Sequence, residues 1–178
     1  WAQSIISSHI ENQKVAVAPL GVDSRIFYPT NPEPWETTRF INIGKWEVRK
    51  GHDILVRAFN RAFDASDNVE LWMMNHSPFL SDKEHQEWIR LYNSEVADVI
   101  RSVDCGVFPS RAEGWNLEAL EMMACGKQVI ITNCSAHTEF CNTKNSKMIQ
   151  ITEYEDAFDG IWFTGQGRWA RLGEEQID

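Results

Sequence analysis

D-C-G-V-F-P-S-R-A-E-G-W-N-L-E-A-L-E-M-M-A-C-G-K-Q-V-I, Asp104 to Ile130, decides the fold. Gly106–Phe108 is short and apolar throughout, as a buried parallel strand is. A polar loop follows, then a helical pattern over Leu117–Ala124, then Gly126 and a second apolar run, Val129–Thr132. Two strands joined by a helix are a parallel pair with its crossover. Gly114 breaks the chain after Glu113, so the helix is expected to start near Trp115 or Asn116. The amides of Trp115, Asn116 and Leu117 are then helix-start donors, and with the helix dipole they form an anion site. The strand delivers that site to the carboxyl edge of the sheet, where open α/β folds bind ligands.

Three acids surround this helix start. On the helical pattern Leu117, Leu120 and Ala124 form the buried stripe, Glu121 lies at its edge and Glu118 points outward to solvent. Glu113 lies in the loop. At about 1.5 Å rise per residue, Glu113 and Glu121 stand on the order of 10 Å apart. Taken alone, acids near a helix N-terminus are equally explained by the helix dipole.

Working outward, further apolar runs lie at Val15–Ala18, Phe40–Ile43, Val69–Met74 and Met148–Ile151. Helical stripes lie at His52–Phe63 and Val96–Val103. Alternating strands and helices predict an α/β fold: a doubly wound, Rossmann-like parallel sheet. Tyr28–Thr38, with Pro29, Pro32 and Pro34, reads as an extended surface loop. Within residues 79–94, Ser81-Asp82 can cap a helix and Trp88–Tyr92 can equally be a strand. Gly160–Arg171, with its glycines and tryptophans, reads as packing or return-helix material.

The chain has 178 residues, 43% of them hydrophobic, which suits one folded domain. The net charge of -9 argues against wrapping nucleic acid or lying on an anionic membrane. No apolar run is long enough to span a bilayer. Phosphate must therefore be met by local cations and amides. Cys105, Cys125, Cys134 and Cys141 form no C-x-x-C pair and read as structural thiols of a reducing compartment. The chain starts at Trp1 without a methionine and is expected to be a piece of a longer protein.

F-I-N-I-G-K-W-E-V-R-K-G-H-D-I-L, Phe40–Leu55, supplies the second half of a site: strand, glycine, basic loop, helix. Lys45, Arg49 and Lys50 are the best-placed phosphate ligands in this acidic chain, and Gly44 lets backbone approach a ligand.

Four pieces together resemble the C-terminal, donor-binding half of a GT-B glycosyltransferase, more narrowly the retaining family 4 type. They are V-A-V-A-P-L-G-V-D-S-R-I-F-Y-P, I-G-K-W-E-V-R-K-G, Asp104–Ile130 and T-N-C-S-A-H-T-E-F, in the family's order between about Lys14 and Ile151. The resemblance implies that Glu113 contacts the donor sugar's hydroxyls and Glu121 the ribose hydroxyls. Lys50 and Lys45 would hold the diphosphate with the amides of Trp115, Asn116 and Leu117, while Gly114 and Gly44 let backbone in. Lys45 stands where the family usually has arginine, so the charge is kept and the fork is lost. Trp115-Asn116 departs from the family's aromatic-glycine pair. The family also has a longer stretch, with one more strand, between Met74 and Val96. Glu139 matches a further family acid. The family's active-site histidine lies in the other domain, so His137 reads as a loop or core-edge histidine.

The implied whole is a sugar transfer from a UDP- or GDP-linked donor to an acceptor with retention, without a metal or cofactor. Residues 1–178 would form the donor domain and bind nucleotide while transferring little by themselves. The acceptor domain would be N-terminal in the same chain, and the location cytoplasmic or peripheral at a membrane through that domain. A rival is a non-catalytic nucleotide- or sugar-phosphate-binding module. A dinucleotide-dependent oxidoreductase is disfavoured because no G-x-G-x-x-G follows the first strand.

Overall fold

The computed structural model describes residues 2–11, 14–31, 34–76 and 96–173. Residues 79–94, whose reading was left open above, lie outside them. In chain order the elements are α1 (Ala2–His9), β1 (Thr38–Lys45), a 3₁₀ turn (Val48–Lys50), α2 (His52–Ala62) and β2 (Val69–His76). Then come α3, described over 96–101, β3 (Cys105–Phe108), α4 (Leu117–Ala124) and β4 (Gln128–Thr132). A 3₁₀ turn (Ser135–Glu139), β5 (Lys147–Ile149), β6 (Tyr154–Phe158) and β7 (Thr164–Ala170) complete the order.

Among the described residues β1 to β5 form one sheet in the order β2-β1-β3-β4-β5, every neighbour parallel. Residues alternate across its faces as a pleat requires. Ile41, Ile43, Val129 and Ile131 pack with Val96 and Ile100 of α3 and with Ala119 and Met122 of α4. Facing the other way, the Phe40 ring lies 6.0 Å from Phe59 and 5.7 Å from Phe63, at the end of α2. On that side Ile54 of α2 also packs with Ile149 and Leu172. Helices on both faces of a parallel sheet make this the doubly wound, Rossmann-like fold.

The order reverses at β1, since β2 lies on one side of it and β3 on the other. This is the topological switch point, where such sheets open a crevice at their carboxyl ends. The β1–β3 ladder pairs only Phe40 with Cys105 and Ile41 with Gly106. Beyond it the buried Asn42 side chain bridges the gap, its Nδ2 donating to Val107 O at 2.6 Å. Asn42 Oδ1 in turn accepts from Asn75 Nδ2 at 3.0 Å.

Several expectations are corrected. Val15–Ala18 forms no strand: no sheet neighbour receives it, and Val17 stays 57% exposed. Val15 O accepts instead from Gln3 Nε2 of α1 at 2.7 Å. Lys147–Ile149 is shorter than the run Met148–Ile151 suggested. Residues 160–171 are not helical but belong to the antiparallel β6–β7 hairpin. Asp159 Oδ1 accepts from the amides of Ile161, Trp162 and Phe163, which folds the tip back. The helix α1, not expected above, sets Ala2, Ile5 and Ile6 on one stripe but buries no residue. The four cysteines are free. Burial pushes the Cys105 and Cys141 thiols up to about 11, which keeps them protonated.

Candidate functional site

The β1–α2 and β3–α4 loops meet over the switch point. Gly51 makes the meeting possible, because at φ 73 a Cβ would come within 2.2 Å of Pro109 O. Arg111 fastens the two loops. Its N–H donates to Arg49 O at 2.7 Å, and its guanidinium reaches Val48 O and, at 3.3 Å, Asp53 Oδ1. Arg111 O accepts from Ala170 N at 2.8 Å, so the hairpin is tied to the same loop.

The loops enclose a cleft of about 310 Å³. Lys45, Lys50, Glu113, Trp115, Asn116, Leu117 and Glu121 line it, together with Arg49, Glu118 and Leu20. Most of the residues singled out from the sequence are thus brought together. Of the two glycines, Gly44 (φ 153) lies beneath the Lys50 side chain, where a Cβ would meet Nζ at 3.4 Å. Gly114 is exposed, and a Cβ there would meet nothing within 4 Å.

Glu113 is the electrostatic centre. Its Oε1 accepts from Ser110 Oγ at 2.8 Å and pairs with Lys50 Nζ at 2.7 Å. Its Oε2 pairs with Arg49 Nη1 at 2.8 Å. Burial pushes this carboxyl up, but Lys50 and Arg49 outweigh burial and hold it below the ordinary carboxylate range. Its own amide donates to Ser135 Oγ at 2.8 Å. Arg49 is shared with Glu47 at 2.9 Å. Lys45 is exposed and makes no ion pair among the described residues.

The helix start is set by Asn116, held at φ 75. A left-handed residue is tolerated here because asparagine visits that region and because its side chain caps the helix. Its Oδ1 accepts from Ala119 N at 3.1 Å, and the helix begins at Leu117, so the first-turn donors are the Leu117 and Glu118 amides, which corrects the expected set of Trp115, Asn116 and Leu117. Its Nδ2 faces His137 Nε2 at 2.9 Å. His137 is fully buried, and its Nδ1 lies 3.0 Å from Thr132 O. Burial lowers its pKa to about 4, so the ring is neutral, with Nδ1–H donating to Thr132 O and Nε2 accepting from Asn116. His137 is therefore a core residue that locks the cap.

This geometry moves the helix stripe. Ala119, Glu121 and Met122 are buried, whereas Leu117 is 37% exposed and turned to the cleft. The expected stripe through Leu117, Leu120 and Ala124 is corrected, because the left-handed cap rotates the first turn. Glu118 is corrected too: its side chain is only 20% exposed and its Oε1 lies 3.8 Å from Lys50 Nζ. Glu121 Oε2 is buried without a hydrogen-bond partner among the described residues. Burial first, and the Glu118 charge second, raise its pKa to about 7. The sequence reading missed Ser110, Arg111 and Ser135 as supports. Only their places beside Glu113 and the second segment hinted at them.

The fold and site together define an α/β domain with a cleft of paired charges at its switch point. Residues 37–161 match the family model of glycosyl transferases group 1, and the chain belongs to that family. It is 26% identical over 137 residues to the GDP-mannose-dependent alpha-(1-6)-phosphatidylinositol dimannoside mannosyltransferase of Mycobacterium tuberculosis. That match covers 68% of this chain and 36% of the relative, so the chain spans about a third of that protein's length. The fold is similar to the C-terminal domain of a glycosyl transferase group 1 family protein (LpcC) from Francisella tularensis. The TM-score is 0.55 at 19% identity, covering 73% of this chain and 80% of that one. Anabaena Alr3699/HepE, solved with UDP and glucose, gives 0.56 at 16%, covering 73% and 41%. The fold is therefore that of one GT-B glycosyltransferase domain. No helix among the described residues is long and apolar enough to cross a membrane.

Proposed function

We propose that this cleft binds the nucleoside-diphosphate sugar of a glycosyltransferase that transfers with retention, and that the acceptor side belongs to an N-terminal domain of the same protein. The observation that carries the reading is Glu121, a buried carboxylate on the cleft wall whose Oε2 has no partner among the described residues. A buried acid left unsatisfied is costly unless a ligand completes it. The cis-diol of a ribose offers the two donors that would do so.

Opposite it, Lys45, Lys50 and the Leu117 and Glu118 amides would receive the diphosphate. They would stabilise the charge that develops on it as the glycosidic bond breaks, without a metal ion. Glu113 would orient Lys50 and Arg49. A carboxylate offers about four lone-pair positions, and Ser110, Lys50 and Arg49 take three of them. One remains to accept from a donor-sugar hydroxyl. Gly114, with open space before it, would admit the phosphates to the backbone. Base and sugar are left to experiment. UDP-glucose and GDP-mannose are the natural first donors to try, since HepE was solved with UDP and glucose and the mycobacterial relative is GDP-mannose-dependent.

Calorimetric titration of the 178-residue chain with UDP, GDP and ADP tests this. One base should be preferred. Glu121→Ala should weaken the preferred nucleotide by about tenfold or more, the scale of hydrogen bonds to a charged group. Glu118→Ala should not weaken it. Equal losses, or no binding to any nucleotide, would sink the reading.

A further inference from the structure

The cleft holds more negative charge than a phosphate site needs. Arg49 is already shared between Glu113 and Glu47, and Lys50 is paired with Glu113. A second acid, Glu118, then reaches Lys50 from the first turn of α4, its Oε1 3.8 Å from Nζ. That turn is where a bound phosphate is favoured by backbone amides and helix dipole, so the carboxylate sits beside the position the phosphate would take. Unlike Glu113, Glu118 makes no hydrogen bond to a serine or arginine among the described residues. Packing does not account for a carboxylate there.

From this placement we infer that Glu118 is a specificity-determining residue, setting the cleft's preference for the intact nucleotide-sugar over the nucleoside diphosphate released from it. The inference rests on the donor-site reading above. The two ligands differ in charge at one atom group. In the donor the β-phosphate is esterified to the sugar and carries one charge. In the product it is a terminal phosphate, whose second ionisation near about pH 6 adds roughly one further negative charge at pH 8. A phosphate held by Lys50 lies within two contact lengths of Glu118, on the order of 7 Å. At that distance a unit charge is penalised by about threefold in affinity even at the dielectric of water, and by more in a partly buried cleft. The same carboxylate acts less on the donor. Lys45, Arg49, Lys50 and Glu121 are common to both complexes, and Glu113, which would meet the sugar only in the donor complex, is the same residue in the wild type and in the Glu118 variants.

The test is a set of four titrations at pH 8 and low salt, using UDP with UDP-glucose and GDP with GDP-mannose, on the wild-type chain and on Glu118→Gln. The substitution should tighten the nucleoside diphosphate by about threefold or more relative to its sugar-linked partner. Glu118→Asp, which keeps the charge, should restore the wild-type ratio, and thermal melts of both variants check folding. If both ligands change together, Glu118 only orients Lys50 and the inference is overturned while the donor site stands. If the wild-type chain binds none of the four, the donor-site reading fails and takes this inference with it.

Discussion

Glu113 and Glu121 are the same residue type, each 7% exposed, on the walls of one cleft, and they are in opposite electrostatic states. Glu113 has Ser110, Lys50 and Arg49 on its oxygens and is held ionised. Glu121 has an oxygen with no partner and is raised to about 7. Equal burial thus gives opposite pKa shifts, because the sign is decided by the charges nearby. One wall has its charge paired as folded. The other is an incomplete polar environment, which is what a ligand-binding wall looks like before its ligand arrives.

The largest effect that could break this comparison is on stability. Glu113→Ala leaves Lys50 buried without its closest counter-charge. Losing one partner of a buried pair costs about 3–5 kcal/mol. Urea unfolding at pH 5 should show a loss of that size, whereas Glu121→Ala, which removes an unsatisfied acid, should change stability there by less than about 1 kcal/mol. Similar losses for both would erase the distinction.

Next in size is the pH dependence, where the two glutamates have opposite signs. Glu113 is lowered from 4.5, so its contribution is present above that value and is lost as pH falls through its folded pKa. Glu121 is raised from 4.5 to about 7, so its contribution is full below pH 4.5 and declines as pH rises to about 7. Relative to wild type, Glu121→Gln should therefore gain stability between pH 5 and 7, by on the order of 2 kcal/mol at the top of that window. Glu113→Gln should show no such gain. His52 and His137, both lowered from 6.5 to about 4, destabilise the fold as pH falls from 6.5 towards 4. That slope cancels in the Glu121→Gln difference curve, measured as urea midpoints from pH 4 to 8, whereas in Glu113→Gln the His137 part steepens, because the Glu113 charge partly offsets burial there.

The smallest effect sharpens the comparison at the helix between the two acids. Asn116→Ala loses the cap and places alanine at φ 75, so it should cost about 1–2 kcal/mol. Asn116→Gly, which adopts that φ freely, should cost less by thermal melt. Equal losses for the two variants would show that the side-chain contacts to Ala119 and His137, not the backbone, hold this turn.

Much of this was legible in the chain. Leu117–Ala124 was read from the sequence with the bounds the structure gives it, and the other helices and strands of the main sheet fall where periodicity put them, within a few residues. Periodicity served because side-chain direction follows backbone repeat, a local property. The cleft residues were legible as a set because two loops at one edge of a parallel sheet must meet. The failures share a cause: Val15–Ala18 looked like a strand but has no neighbour to pair with, and the β6–β7 hairpin depends on the Asp159 turn.

By itself, then, the order of residues determined a doubly wound sheet, a helix start beside a basic loop, and three glutamates at one edge. Which glutamate would have its charge paired, which would be left without a counter-charge and which would reach Lys50 from the helix was decided only by the tertiary structure. Gly51 lets Pro109 close in, Arg111 clasps the loops, and the left-handed Asn116 rotates the first turn of α4. Charge state depends on burial and on neighbours within a few ångströms, and the neighbours that matter here are about sixty residues apart in the chain.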